Sequence, residues 1–313
     1  MFIVGFKGFP AIQILVDITI HVRQNITKNG FLEQIMDLSF NKYHGCGNDF
    51  ICVDFRGKDA DFVSLAKQLC RRNFSIGADG LIVLLDSTVA QYQMLVVNAD
   101  GSIPEMCGNG LRCFVAYVSD LGLARSAVLT IETGAGVLEA SIQSNSSSSM
   151  MVLVDMGHAY FNDRLPSNDF LLSNVPGHVI SIGSQSFQFT PVSMGNPHCV
   201  IFVSDVDAID LQSVGPLIET HPYFPNRVNV EFVQVIANDH LKMRVWERGV
   251  GETNACGTGA CASVVAGVLS KKCDANARVD LLGGSLDISF SSETCHVEMI
   301  GPATFVFSSK III

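Results

Sequence analysis

Met106-Cys107-Gly108-Asn109-Gly110-Leu111-Arg112-Cys113 and Cys256-Gly257-Thr258-Gly259-Ala260-Cys261 are the two stretches on which the reading of this chain turns. Each sets a Cys-Gly-x-Gly loop directly ahead of an apolar helical pattern. After the first, Leu111, Phe114, Val115 and Val118 recur at i, i+3, i+4 and i+7, and Gly122 offers a stop. After the second, Ala260 to Leu269 is almost wholly apolar, which predicts a helix buried on all sides. The loops stand 256 − 107 = 149 residues apart, and other residues keep that interval. Glu247 answers Asn98 (247 − 98 = 149), Asn229 answers Gly80 (229 − 80 = 149), and Gly195-Asn196 answers Gly47-Asn48 (196 − 48 = 148). A repeated loop with repeated partners predicts two copies of one unit facing each other about a pseudo-twofold axis.

Around these loops the chain reads as short strands with few helices. Leu38 to Asp54 alternates about a Gly-rich turn at Gly45 to Gly47, and residues 61–72 carry Phe62, Leu65, Ala66 and Leu69 at helical spacing. Strands are expected over 80–86, 92–97, 127–142, 150–155, 178–190, 198–203, 228–236 and 240–247, and again from 278 onward. Ser144 to Ser149 is expected to be a mobile hairpin loop rather than a linker. Residues 1–35 contain none of the repeated motif and read as an N-terminal extension outside the fold. Lys7 and Asp17 interrupt any signal-peptide core, and Arg23 is the segment's single arginine, too few for a transit peptide.

Bulk properties narrow the function. The 313 residues suffice for two domains, and 48% hydrophobic residues can fill two cores. With a net charge of −10 and no basic stripe, nucleic acid is not an expected partner. No run of eighteen uncharged apolar residues predicts a membrane span. The ten cysteines include no Cys-x-x-Cys pair, so zinc ribbons and thioredoxin-type sites lack support, and no Gly-x4-Gly-Lys-Ser/Thr phosphate loop occurs. Most of the cysteines, Cys52, Cys70, Cys199 and Cys295 among them, are expected to be buried small hydrophobes in a reducing cytoplasm.

Cys107 and Cys256 are different because of where they sit. Inverting a stereocentre requires a base on one face of a carbon and an acid on the other, and two similar half-sites supply both. At a helix start the N–H groups and the dipole favour negative charge, which predicts thiol pKa values below the free value of ~8.5. Thiolate and thiol then form a base–acid pair. Gly108, Gly110, Gly257 and Gly259 would allow close backbone approach and positive φ, with N–H groups ready for a substrate carboxylate. Arg248 could take a carboxylate bidentately, and Glu247 could hold an ammonium or tune a thiol. His198, two residues after Asn196, could modulate one thiol.

These segments together resemble the diaminopimelate epimerase family. The resemblance extends through Lys42-Tyr43-His44-Gly45-Cys46-Gly47-Asn48-Asp49-Phe50, Asn98-Ala99-Asp100-Gly101-Ser102, Gly195-Asn196-Pro197-His198-Cys199 and Glu247-Arg248-Gly249. It runs in order from about Met36 to the C-terminus. It implies an α/β (α+β) fold of two pseudo-symmetric domains, each a curved, mostly antiparallel sheet wrapped around a central helix. One half would be 36–155 plus 302–313, carrying Cys107, and the other 156–301, carrying Cys256. It further implies a cytoplasmic homodimer converting LL- to meso-2,6-diaminopimelate in lysine and peptidoglycan precursor synthesis, without pyridoxal phosphate or metal. Cys256 would be the base on the LL isomer and Cys107 the proton donor. Asn48, Asn98, Gly108, Asn109, Asn196, Asn229, Glu247, Arg248, Gly257 and Thr258 match substrate-binding positions, and His198 and Glu247 match positions that tune the thiols. Two residues depart from the pattern: Gly80 stands where some members carry Gln, and Phe307 where the family places a tyrosine at its dimer contact. A proline or hydroxyproline racemase-like enzyme, a non-catalytic relative and a thiol redox or metal-binding protein are the competing readings.

Overall fold

The computed structural model describes residues 21–26, 32–104, 106–146, 149–162, 165–166, 169–170 and 178–313. The chain divides into two units, residues 1–40 with 309–313, and residues 41–308. In the first unit β1 (His21–Ile26) pairs antiparallel with the start of β2 (Leu32–Gly45), from His21 opposite Asp37 to Ile26 opposite Leu32. The rest of the expected extension lies outside the described residues.

The second unit is built twice. β2 turns through Cys46 (φ 53°) and Gly47 (φ 82°) into β3 (Asn48–Asp54), a two-residue left-handed turn that suits a twisted hairpin. α1 (Phe62–Leu69) follows, capped by Asp61, and then β4 (Gly80–Leu85), β5 (Tyr92–Asn98), α2 (Gly108–Asp120), β6 (Val128–Thr133), β7 (Gly136–Asn145) and β8 (Ser149–His158). A separate hairpin, β9 (Val179–Ile182) with β10 (Gln185–Gln188), precedes the second copy. That copy runs β11 (Thr190–Ser193), β12 (Pro197–Phe202), α3 (Leu211–Glu219), β13 (Asn229–Ala237) and β14 (His240–Glu247). It continues with the two-residue β15 (Gly251–Glu252), α4 (Gly257–Leu269), β16 (Asn276–Leu281), β17 (Gly284–Ser291) and β18 (His296–Ile312). Beyond β2 the strand order is β3-β4-β5-β6-β7-β8-β18-β17-β16-β14-β13-β12-β11.

The registers repeat as the sequence interval requires. β3 and β4 are parallel with Phe50 opposite Gly80, and β12 and β13 are parallel with His198 opposite Asn229. β4 runs antiparallel to β5, as β13 does to β14, and β5–β6 and β14–β16 are the matching parallel crossovers. The α1 and α3 caps, Asp61 and Asp210, also lie 149 apart (210 − 61 = 149), and each accepts from the N–H of a serine three residues on.

α2 and α4 are the two central helices, and each packs against strands of its own copy. Leu111, Phe114, Val115 and Val118 are fully buried, as are Val264 and Val265. Burying side chains of this size contributes about 1.5–3 kcal/mol each. Cys52, Cys70, Cys199 and Cys295 are buried, as expected of small hydrophobes.

Two local expectations change, and the Ser-rich tract keeps its expected place between two paired strands. The strand read over 178–190 is the β9–β10 hairpin followed by β11, broken at Gly183 (φ 60°). The run over 127–142 is likewise split, with Thr133 opposite Gly136. The Ser-rich tract is a hairpin connection in which the Ser146 N–H donates to the Ser149 carbonyl, while Ser147 and Ser148 lie outside the described residues.

Candidate active site

Cys107 and Cys256 occupy the same structural position, the residue before the first turn of a 13-residue central helix. Both have extended backbone there, φ −141° and −122°. The two helix starts approach each other around Met299: a Cβ placed on Gly108 would lie 3.1 Å from the Met299 methyl, and one on Gly257 would lie 3.3 Å from its sulfur. Asn109 ties the loops together, its amide donating to the Asn48 side chain and to the Ala255 carbonyl, each at 3.3 Å.

The four loop glycines do not take positive φ, contrary to expectation, because they already belong to the helices. Close approach is what requires them. A Cβ on Gly110 would meet the Cys107 sulfur at 3.3 Å, and one on Gly259 would come within 2.8 Å of a Glu231 oxygen.

The other predicted residues gather unevenly. Asn196 donates from Nδ2 to Thr258 Oγ1 at 3.3 Å, and its Oδ1 faces His198 Nε2 at 3.0 Å. Asn229 donates to the Pro197 carbonyl and accepts from the Arg248 N–H. Glu247, at the end of β14, accepts hydrogen bonds from Thr253 and Cys256. Asn48 donates to Asp79 at 2.9 Å, and Asn98 to Ser102 at 2.9 Å. The Arg248 guanidinium is exposed and donates to the Asn226 carbonyl, so only its backbone meets another predicted residue. Among the described residues no cluster of three or more His, Cys, Asp or Glu could hold a metal ion.

The expected depression of both thiol pKa values is overturned. Burial pushes Cys107 above the free thiol range, although the Gly110 N–H, donating to its sulfur at 3.3 Å, and the Arg112 charge draw it back. Cys256 is pushed well up, first by burial, then by Glu247 and Glu231, with the Thr258 hydroxyl and the Gly259 N–H opposing. Desolvating a thiolate outweighs two helix-start N–H groups. Glu247 is itself raised by burial, while hydrogen bonds from Thr253 and Cys256 draw it down.

Two residues not anticipated from the sequence belong here. Arg112 is fully buried and donates to the Gly108 and Pro302 carbonyls and to Asn109 Oδ1. Glu231, also fully buried, contacts His198 Nδ1 at 2.6 Å. Strand alternation could have found Glu231, since it lies two residues beyond Asn229 on the same face of β13.

Residues 40–162 and 190–306 match the family model described as diaminopimelate epimerase. The chain belongs to the diaminopimelate epimerase family. It is 48% identical to the diaminopimelate epimerase of Pelotomaculum thermopropionicum over 280 residues, covering 87% of this chain and 98% of that one. It is 47% identical to that of Nostoc punctiforme over 286 residues, covering 88% and 100%. Among solved structures, a phenazine biosynthesis protein of the PhzF family from Bacillus anthracis superposes with TM-score 0.65 at 18% identity, covering 88% of this chain and 99% of that one. A hydroxyproline epimerase from Agrobacterium vitis superposes with TM-score 0.62 at 13% identity, covering 88% and 91%. At such identities the likeness is one of fold: two sheet-dominated halves, each around a helix, as the family resemblance implied.

Proposed function

We propose that this family member epimerises LL-2,6-diaminopimelate to the meso form by a two-thiol mechanism, in which Cys256 takes the proton from one face of the substrate carbon and Cys107 gives a different proton to the other face. The observation that carries the reading is the convergence of two equivalent helix starts, each bearing a cysteine, on Met299. The N–H groups of Gly108, Asn109, Gly257 and Thr258 are oriented as helix-start donors for the carboxylate of the reacting centre. Asn48, Asn98, Asn196, Asn229 and Arg248 are the further polar contacts for the amino-acid groups, and no cofactor is required.

The electrostatics of the site supply a switch. Glu247 holds the Cys256 proton in place. A substrate ammonium beside Glu247 offsets that effect, so that Cys256 gives its proton up to solvent as the substrate enters and acts as a thiolate base on the LL centre. Cys107, influenced by Arg112, delivers the proton on the other face. In the reverse direction the roles exchange, so each thiol serves as both acid and base. The division into 36–155 plus 302–313 and 156–301, a homodimer and a cytoplasmic location are parts of the same proposal. No described helix is long and apolar enough to cross a membrane.

A chiral assay of purified protein with LL-diaminopimelate and no added cofactor tests the reading. Accumulation of the meso isomer to an equilibrium mixture is expected. Unchanged LL substrate, with turnover of proline or hydroxyproline instead, would overturn it.

A further inference from the structure

Glu231 is a costly residue to place where it is. Its carboxylate is fully buried, one oxygen meets His198 Nδ1 at 2.6 Å, and the other has no hydrogen-bond partner. Orphaned buried acceptors are rare in folded proteins and call for an explanation. The fold does not demand a carboxylate there. The equivalent position in the first copy is Ile82 (231 − 149 = 82), which lies opposite Cys52 and Val96 in its two ladders as Glu231 lies opposite Val200 and Val245. Ile82 is fully buried among hydrophobic side chains.

What Glu231 does have is a continuous line of contacts to one thiol. From its Oε1 the line passes to His198 at 2.6 Å and then to Asn196 at 3.0 Å. It continues to Thr258 at 3.3 Å and ends at the Cys256 sulfur at 3.5 Å. The direction of each link follows from the one beside it. Asn196 Nδ2 donates to Thr258, so its Oδ1 is the atom facing the ring, and His198 Nε2 must carry hydrogen to donate to it. The Thr258 hydroxyl, already accepting from Asn196, has its own hydrogen left for sulfur. The Glu231–Nδ1 contact holds one further proton, and with it the ring is fixed with Nε2–H toward Asn196.

We propose that Glu231 is a positioning residue for Cys256: through His198, Asn196 and Thr258 it fixes the polarity of a hydrogen-bond chain that ends with the Thr258 hydroxyl donating to the Cys256 sulfur. The inference rests on the reading that Cys256 exchanges the substrate proton as a thiolate. Among the described residues no such chain leads to Cys107, whose sulfur takes its hydrogen bond from the Gly110 N–H. Without the carboxylate, a neutral ring can present a bare Nε2, the Asn196 amide can turn over, and the donor at sulfur is lost.

The test compares wild type with Glu231→Leu, which offers the ring neither donor nor acceptor, by the rate at which iodoacetamide alkylates each cysteine at one pH, read by peptide mass spectrometry. The carboxylate leaves together with the ring proton it holds, so the net charge beside the sulfur is unchanged, and alkylation of Cys256 should fall about tenfold, the loss of one hydrogen bond to a charged group, while Cys107 stays within about twofold. Equal falls at both cysteines, as from a loosened fold, or no change at Cys256, would overturn the proposal. Should the variant not fold, wild type labelled with 15N-histidine gives the answer directly. The His198 resonance, assigned by its absence in His198→Gln, should show Nε2 protonated, and an unprotonated Nε2 would overturn the stated polarity. Wild type that leaves LL-diaminopimelate unchanged would overturn the underlying reading, and the alkylation contrast would still decide the chain.

Discussion

Cys107 and Cys256 stand at equivalent points of a duplicated unit, but the residues 149 positions apart around them are not alike. Beneath Cys107 lies the buried guanidinium of Arg112, and the matching residue beneath Cys256 is Cys261 (261 − 112 = 149). Beside Cys256 lie Glu247 and Glu231, and their counterparts near Cys107 are Asn98 and Ile82. The Cys107 sulfur accepts from the Gly110 N–H at 3.3 Å, whereas the Cys256 sulfur lies 3.5 Å from the Thr258 hydroxyl. Duplication provides two helix starts of one shape. The substitutions layered on it give one thiol a cationic neighbour and the other two anionic ones. An enzyme that must hold a proton on one face and receive one on the other needs matched geometry and unmatched charge.

Removing either thiol should break the comparison most severely. Cys107→Ala and Cys256→Ala should each lose about 10²- to 10⁴-fold in kcat, since neither half-site can do the other's work. A single variant near wild-type rate would mean that one face suffices.

Glu247→Gln should follow, with turnover down about 10²-fold and alkylation altered more at Cys256 than at Cys107, since Glu247 acts on both thiols. The same variant carries a stability signature. Burial holds the Glu247 carboxyl above its ordinary range, so the folded protein binds that proton more tightly than the unfolded chain. Its contribution is therefore full at low pH and lost as pH rises through the folded value. Glutamine does not titrate, so the Tm of Glu247→Gln relative to wild type should climb as pH rises above the ordinary carboxylate range. A constant difference would contradict the assigned environment.

Arg112→Met addresses the other half. It leaves the Pro302 carbonyl and Asn109 Oδ1 without their donor, at a cost of about 1–3 kcal/mol in a denaturant titration. Beyond that loss, Cys107 alkylation should slow more than that of Cys256. The smallest effect is expected at the N-terminus. A chain begun at Met36 lacks no residue of either half-site and should keep its turnover within about twofold, since only groups at the reacting centre carry acid–base catalysis. A large loss would show that the preceding segment belongs to the domain.

Much of this asymmetry could not be read from the sequence, although the duplication could. The Cys-Gly-x-Gly loops, the interval of 149 and both central helices were legible because each motif is short, local and repeated. α3 escaped notice because Pro216 lies within it, although projecting α1 by the same interval, with Asp61 onto Asp210, would have found it. The thiol pKa values were misjudged because a helix dipole is visible in a sequence whereas burial is not. Glu231 went unread because its importance depends on a partner 33 residues away, which only the parallel pairing of β12 with β13 brings alongside. The Arg112 side chain was overlooked because nothing local signals that its charge lies inside the core.

The central claim is that one proton leaves by one thiol and another arrives from the opposite one. The most direct test is epimerisation of LL-diaminopimelate in D₂O, with isotope content followed separately in substrate and product from the first turnovers. Deuterium should appear in the product at once, from a donor thiol equilibrated with solvent, and the substrate should stay essentially unlabelled early, because the abstracted proton returns to its original face. Equal early labelling of substrate and product would contradict it and leave a single exchangeable base in place of the pair.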